Sequence, residues 1–191
     1  MNDKATDNLH HDLRNAAQII GGSARAVLKE CLRIDEALKR FPVYVNSKTH
    51  IILHHSLTKD SLTVSWPVIR KYHKHTLGWS DIGYHAGIEG IRYPGEYEIL
   101  IGRDYFENGA HCRQAKMNRK GFGFCFIGNF DLYSPPDPML ERAAEYLASI
   151  CRLGNISPDN IKGHRDYYSA KSCPGKMFDM DDFRNRVIEF F

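Results

Sequence analysis

The stretch Thr49-His50-Ile51-Ile52-Leu53-His54-His55-Ser56 carries the reading of the fold. Its apolar run over residues 49–54 is short and continuous, which predicts a buried strand rather than a helix. A strand that ends in two histidines offers a backbone-fixed imidazole to whatever lies beyond its end. Successive side chains on a strand point to opposite faces, so only one of His54 and His55 can meet a given partner. The strand alone leaves open which of the two that is.

Working outward, strands and helices alternate. Residues 65–75 read as a helix, with Ser65 as a cap, Pro67 in the first turn and Val68, Ile69 and Tyr72 on one face. Residues 84–88 and 97–101 read as strands with a Pro94-Gly95 turn nearby. Residues 122–127 form a third apolar strand ending in Gly128-Asn129. The loop Pro135-Pro136-Asp137-Pro138 leads into a helix over about 139–153, stopped by Gly154. Residues 160–163 make a short strand before His164, and residues 180–191 a closing helix. Strands interleaved with helices predict an α/β fold: a single domain with a central mixed β-sheet flanked by helices. Upstream, residues 10–40 show apolar residues at three- and four-residue steps, broken at Gly21-Gly22-Ser23. Residues 1–45 therefore read as an N-terminal helical extension, a cap on the domain with a docking element as the alternative. The domain itself is 46–191.

Composition narrows the class. The chain has 191 residues, enough for one domain with a real core. Its net charge of +3 fits an anionic polymer as partner but does not call for nucleic acid. No apolar run reaches the ~20 residues that a transmembrane helix needs. The polar start, Met1 to Arg14, has no signal-peptide pattern, so synthesis in the cytoplasm without a signal peptide is expected. Five cysteines with no CxxC argue against a disulfide framework. Cys31, Cys125 and Cys151 lie in apolar sequence and read as buried free thiols. Oligomeric state is not legible.

The chemistry gathers near the end of the chain. His164 follows a strand and a glycine in Gly163-His164-Arg165-Asp166, and Cys173 opens Cys173-Pro174-Gly175 two residues after Lys171. With the strand-end histidine, these supply two nitrogens and a sulfur. Three such ligands with one position open are what a catalytic zinc requires, whereas structural sites are closed by four. A closed site here would need His55, His111 or Cys112 as its fourth ligand. Histidines 10, 11, 73 and 75 read as surface or hydrogen-bonded residues.

Seven blocks then occur in order: His54-His55-Ser56, Gly78-Trp79-Ser80-Asp81-Ile82-Gly83-Tyr84-His85, Gly102-Arg103, Gly109-Ala110-His111, Phe126-Ile127-Gly128-Asn129-Phe130, Gly163-His164-Arg165-Asp166 and Cys173-Pro174-Gly175. Over about Thr49 to Pro174 the chain resembles the zinc-dependent N-acetylmuramoyl-L-alanine amidases, the family of phage amidase endolysins and peptidoglycan recognition proteins. It departs from the family pattern at Arg119-Lys120-Gly121-Phe122, near the expected substrate groove. The resemblance implies Zn2+ held by His54, His164 and Cys173, with Tyr84 and Lys171 as catalytic residues. It implies a peptidoglycan or muropeptide substrate, cut at the amide between N-acetylmuramic acid and L-alanine. Trp79, Arg103, His111 and Asn129 are the expected substrate contacts, with Arg103 as a structural pair and Asn129 as a turn former the alternatives. Asp166 and nearby carbonyls are candidates to hold a ligand imidazole in one tautomer. Recognition members of the family that bind without cutting typically lack the cysteine ligand, which this chain keeps. An endolysin, a wall-recycling amidase and a delivered effector are all compatible with the missing signal peptide; recycling enzymes tend to carry Asp where this chain has Cys173.

Overall fold

The structure, a computed structural model, describes residues 48–58, 65–91 and 95–191. The helices expected over 10–40, the extension 1–45 and Pro94 of the expected turn lie outside the described residues. Five strands form one mixed sheet: β1 (His50–His55), β2 (Ala86–Gly90), β3 (Tyr97–Ile101), β4 (Gly121–Phe126) and β5 (Ile161–Gly163). The spatial order is β3-β2-β4-β1-β5. Strand β1 pairs in parallel with β4 and β5, and β2 pairs in parallel with β4 but antiparallel with β3. The helices are α1 (Trp66–His75), α2 (Met117–Lys120), α3 (Asp137–Gly154) and α4 (Met180–Glu189).

Alternation along the strands divides the interior into two faces. On one, Ile51 and Leu53 of β1 join Phe122, Phe124 and Phe126 of β4 beneath Ala143, Ala144 and Leu147 of α3 and Phe183 and Val187 of α4. Burying one such side chain stabilises the fold by about 1.5–3 kcal/mol. Arg186 of α4 reaches Asp137 and Glu141 of α3, as well as Asp182 of its own helix, at 2.6–2.8 Å. On the opposite face, Trp66 and Ile69 of α1 pack with Cys125, Ile82 and Ile127. Here a close approach requires a glycine. A Cβ on Gly87 of β2 would fall 2.2 Å from the Trp66 ring. Only a bare backbone admits the indole, whose Nε1 donates to the Ile101 carbonyl at 3.2 Å.

Several local expectations are corrected. Ser65 makes no side-chain cap; the first amide of α1, on Trp66, donates instead to Glu89 Oε2 at 2.7 Å. The buried face of α1 is Trp66, Ile69 and His73, whereas Val68 and Tyr72 are 54% and 52% exposed. Gly154 is the last residue of α3 and not its stop; Asn155 takes the left-handed conformation, with φ of 49°. Asparagine tolerates that region because its short polar side chain bonds locally. The free buried thiols expected at Cys125 and Cys151 are found so.

Candidate metal centre

His54 lies at the carboxyl end of β1, in register with Cys125 of β4. His164 follows β5 directly, in a turn of 3-10 helix over His164–Asp166. Because β1 and β5 are parallel neighbours, both imidazoles leave the same end of the sheet. Cys173 arrives on the loop after that turn, and its carbonyl accepts from Arg165 N at 3.0 Å. The Arg165 guanidinium donates to the carbonyls of Gly175 and Phe178 at 2.5 and 3.2 Å. Asp131 clamps the same loop from the other side, accepting from Ser172 Oγ at 2.7 Å and Lys176 N at 2.8 Å. The cysteine is thus bracketed by anchored backbone.

The ligand atoms of His54, His164 and Cys173 all lie within 4.8 Å of one another, and all three residues are buried. The set fits a zinc ion on two further grounds. His164 Nε2 is buried without any hydrogen-bond partner, alone in that respect among the side-chain atoms of the described residues. A buried polar nitrogen left unpaired is costly, and a metal would satisfy it. Burial also holds His54 well below the ordinary histidine range, and His164 below it, so both rings keep a lone pair at neutral pH. Burial pushes the Cys173 thiol up, opposed by its contact with the His55 carbonyl and by the Lys171 charge. Two imidazoles and a sulfur are the donor set that zinc prefers.

His55 points to the other face. Its Nδ1 accepts from Phe130 N at 3.2 Å and its Nε2 lies 3.5 Å from Ser172 Oγ. The ring therefore fastens β1 to the loop that carries Cys173. His111 and Cys112 do not close the site either. The His111 ring bonds His54 and the Gly121 carbonyl, and Cys112 packs with Ile52 and Met117. The cluster keeps three protein ligands and an open side. Asp166 does not hold a ligand ring: its carboxylate accepts from Gly163 N at 2.8 Å and caps its own turn.

The open side faces a cleft of ≈ 580 Å³. Tyr84, Lys171, Trp79 and His111 line it together with the three candidate ligands. The Tyr84 ring stands 5.1 Å from the His54 ring between centroids, and burial holds its phenol well above the ordinary value, so it keeps its proton. Lys171 is exposed on the rim. Trp79 is half-buried and lies against His73, the rings tilted by 34° with centroids 4.7 Å apart. Arg103 and Asn129 stand outside the lining. The Arg103 guanidinium donates to the carbonyls of Ile82, Asn108 and Asp81 at 2.7–3.2 Å, bracing the loop before β2. Asn129 Oδ1 accepts from Asp131 N, a turn contact. Sequence reasoning passed over Arg113, Gln114, Asn118 and Tyr168, which also line the cleft. Among the described residues, Arg113 and Lys171 are its only lysine or arginine residues, and no carboxylate lines it. No periodicity marked them, because Arg113 and Tyr168 sit on loops and Gln114 and Asn118 in turns of helix too short to show one.

Comparison with known proteins agrees with this geometry. The N-acetylmuramoyl-L-alanine amidase family profile matches residues 45–176. Peptidoglycan-recognition protein SC1a of Drosophila melanogaster is 30% identical over 136 residues, 68% of this chain and 69% of its own. Among solved structures, the N-acetylmuramoyl-L-alanine amidase LysC from Clostridium intestinale URNW superposes with a TM-score of 0.63 at 26% identity, covering 76% of this chain and 88% of that one. Drosophila PGRP-LB in complex with tracheal cytotoxin superposes at 0.56 with 31% identity, over 69% and 77% of the two chains. By sequence, fold and the donor set at its strand ends, the chain belongs to the N-acetylmuramoyl-L-alanine amidase family.

Proposed function

We propose that the protein is a zinc-dependent amidase that hydrolyses the bond between N-acetylmuramic acid and L-alanine in peptidoglycan, as an endolysin-type wall-degrading enzyme. The observation that supports it is the open His54, His164 and Cys173 cluster at the base of a cleft that also holds Tyr84 and Lys171. A recognition module needs a groove but no three-ligand site. Zinc would supply Lewis-acid activation of water and of the scissile carbonyl. Tyr84 keeps its phenolic proton and can donate it in a hydrogen bond to the oxygen that gains charge in the transition state. The Lys171 ammonium adds positive charge at the rim, where the oxyanion and the leaving amine would lie. Trp79 offers a ring face to a sugar. Arg113 and Lys171, with no carboxylate beside them among the described lining residues, attract an anionic muropeptide. The likeness to a second Clostridium intestinale URNW structure, the endolysin amidase LysCS (TM-score 0.61, 26% identity, 76% of this chain and 86% of that one), favours the endolysin role, in which the enzyme reaches the wall after release or delivery.

The deciding experiment combines metal analysis with mass spectrometry of products from purified cell walls. We expect one zinc per chain and release of free stem peptides from intact glycan strands. Cys173→Ala and His164→Ala should lose both. Wall binding without peptide release by the zinc-loaded protein would make it a recognition module, and cleavage of glycan instead of amide would overturn the reading.

A further inference from the structure

His111, expected to touch substrate, borders the cleft, and its surroundings point to a further task. The ring is buried, 8% exposed, with both nitrogens in contact with protein. Its Nε2 lies 3.3 Å from the Gly121 carbonyl oxygen. A carbonyl only accepts, so Nε2 must carry the hydrogen. The ring is buried and bonds only a carbonyl and another imidazole, so no acid balances a second proton and its Nδ1 has a lone pair. That Nδ1 lies 3.1 Å from His54 Nε2. Two lone pairs cannot bond, so His54 Nε2 is the donor. With Nε2 carrying its hydrogen toward His111, Nδ1 is the His54 nitrogen left to offer a lone pair.

We propose that His111 is a positioning residue: a chain from the Gly121 carbonyl through His111 to His54 fixes the tautomer of His54 and presents its Nδ1 to the metal.

The surrounding backbone is built for this ring. A Cβ on Gly109 or Gly123 would fall 2.3 or 2.4 Å from His111 Cδ2, so the two glycines form a slot that the imidazole fills. Asn118 Oδ1 accepts from His111 N at 2.8 Å and Cys112 N at 2.6 Å, which pins the residue's main chain. His85 stands edge-on behind it, with ring centroids 5.6 Å apart. A ring so enclosed is fixed in place, although the residue borders the cleft. Its action is on the ligand next to it, as expected of a group that orients a metal-binding histidine.

The inference rests on the zinc reading above, and its test separates the two. Long-range 1H–15N spectra of 15N-labelled wild-type protein, with and without zinc, read the tautomer of each ring. Both His111 and His54 should be protonated on Nε2; a proton on Nδ1 of either ring overturns the proposal, whatever the fate of the variants. Zinc affinity, from competition with a chromophoric chelator, is then compared in His111→Leu and His111→Asn, with circular dichroism of the zinc-free proteins as the check on folding. The leucine should weaken zinc by about 10–100-fold. The asparagine, whose Oδ1 can take the place of Nδ1, should stay within a few-fold of wild type. An unchanged affinity in His111→Leu with a raised KM would make His111 a substrate contact. Wild type that takes up no zinc would sink the amidase reading, while the tautomers of the zinc-free protein would still judge this one.

Discussion

His85 shows how much of the polar interior is set by single rings. Its Nδ1 accepts from Gly123 N at 2.9 Å, and its Nε2 faces the Glu107 carbonyl at 3.0 Å. Burial lowers its pKa to about 3, with the buried Lys48 nearby adding to the effect. Lys48 bonds the carbonyls of Glu107 and Arg119 and is itself lowered to about 8 by burial. The unfolded chain protonates His85 near 6.5, well before the folded one does. Its contribution to stability is therefore full above pH 6.5 and declines as pH falls from there toward 3. The drop from 6.5 to about 3 corresponds to on the order of 5 kcal/mol if titrated fully. Urea unfolding of the zinc-free protein should show a lower midpoint at pH 5 than at pH 7.5, and a flat midpoint over that range would contradict this account. Lys171 belongs to the same scale. It is exposed, so Lys171→Ala should leave stability and zinc content unchanged while lowering kcat by about 10²–10³-fold, the size of a lost transition-state donor. Loss of zinc in that variant would mean that the residue holds the loop. From sequence alone, Lys171 and Tyr84 carried no signal apart from the motifs around them. Neither the burial of Lys48 nor that of His85 was readable, since nothing in a polar flank marks which cation finds carbonyls.

At the level of elements, the strands were legible because each is a short apolar run between breakers. Their order was not, because parallel pairing of β1 with β4 and β5 depends on contacts far apart in sequence. The segment 114–120 was missed altogether. It holds a 3-10 turn and α2, with Ala115 and Lys116 at φ of 49° and 62°, where glycine would have been the usual marker. The ligand loop depends on Arg165, which was read only as part of a motif. Its two bonds to the Gly175 and Phe178 carbonyls hold the far side of the turn that carries Cys173. Arg165→Met keeps the aliphatic stem but removes both donors, which should destabilise the fold by roughly 1–3 kcal/mol. Denaturant melts should show that loss, and chelator competition a weaker zinc site; unchanged values in both would mean that Asp131 alone secures the loop.

Across the whole molecule the sheet separates two tasks. One face is a continuous apolar core beneath α3 and α4, and the other carries His54, His111, the cleft and the glycines of β4 that make room for His111. No helix among the described residues is long and apolar enough to cross a membrane. A metal that binds the folded state alone adds about 4 kcal/mol of stability at a free concentration 1,000-fold above its Kd. For a chain of this size that is on the order of 10 °C in Tm. Stripping zinc with a chelator should lower Tm by that order in wild type and leave Cys173→Ala unmoved. Equal chelator effects on both proteins would place the stabilising ion elsewhere.

The two tryptophans give the protein a built-in optical readout. Trp66, 3% exposed against Gly87, sits in a dry apolar setting and should emit in the blue, shifting red only when the domain unfolds. Trp79, half-buried on the cleft wall against His73, is the emitter that an arriving muropeptide would dim or brighten. Unfolding and ligand occupancy can therefore be followed in one unlabelled sample, by wavelength for the first and by intensity for the second.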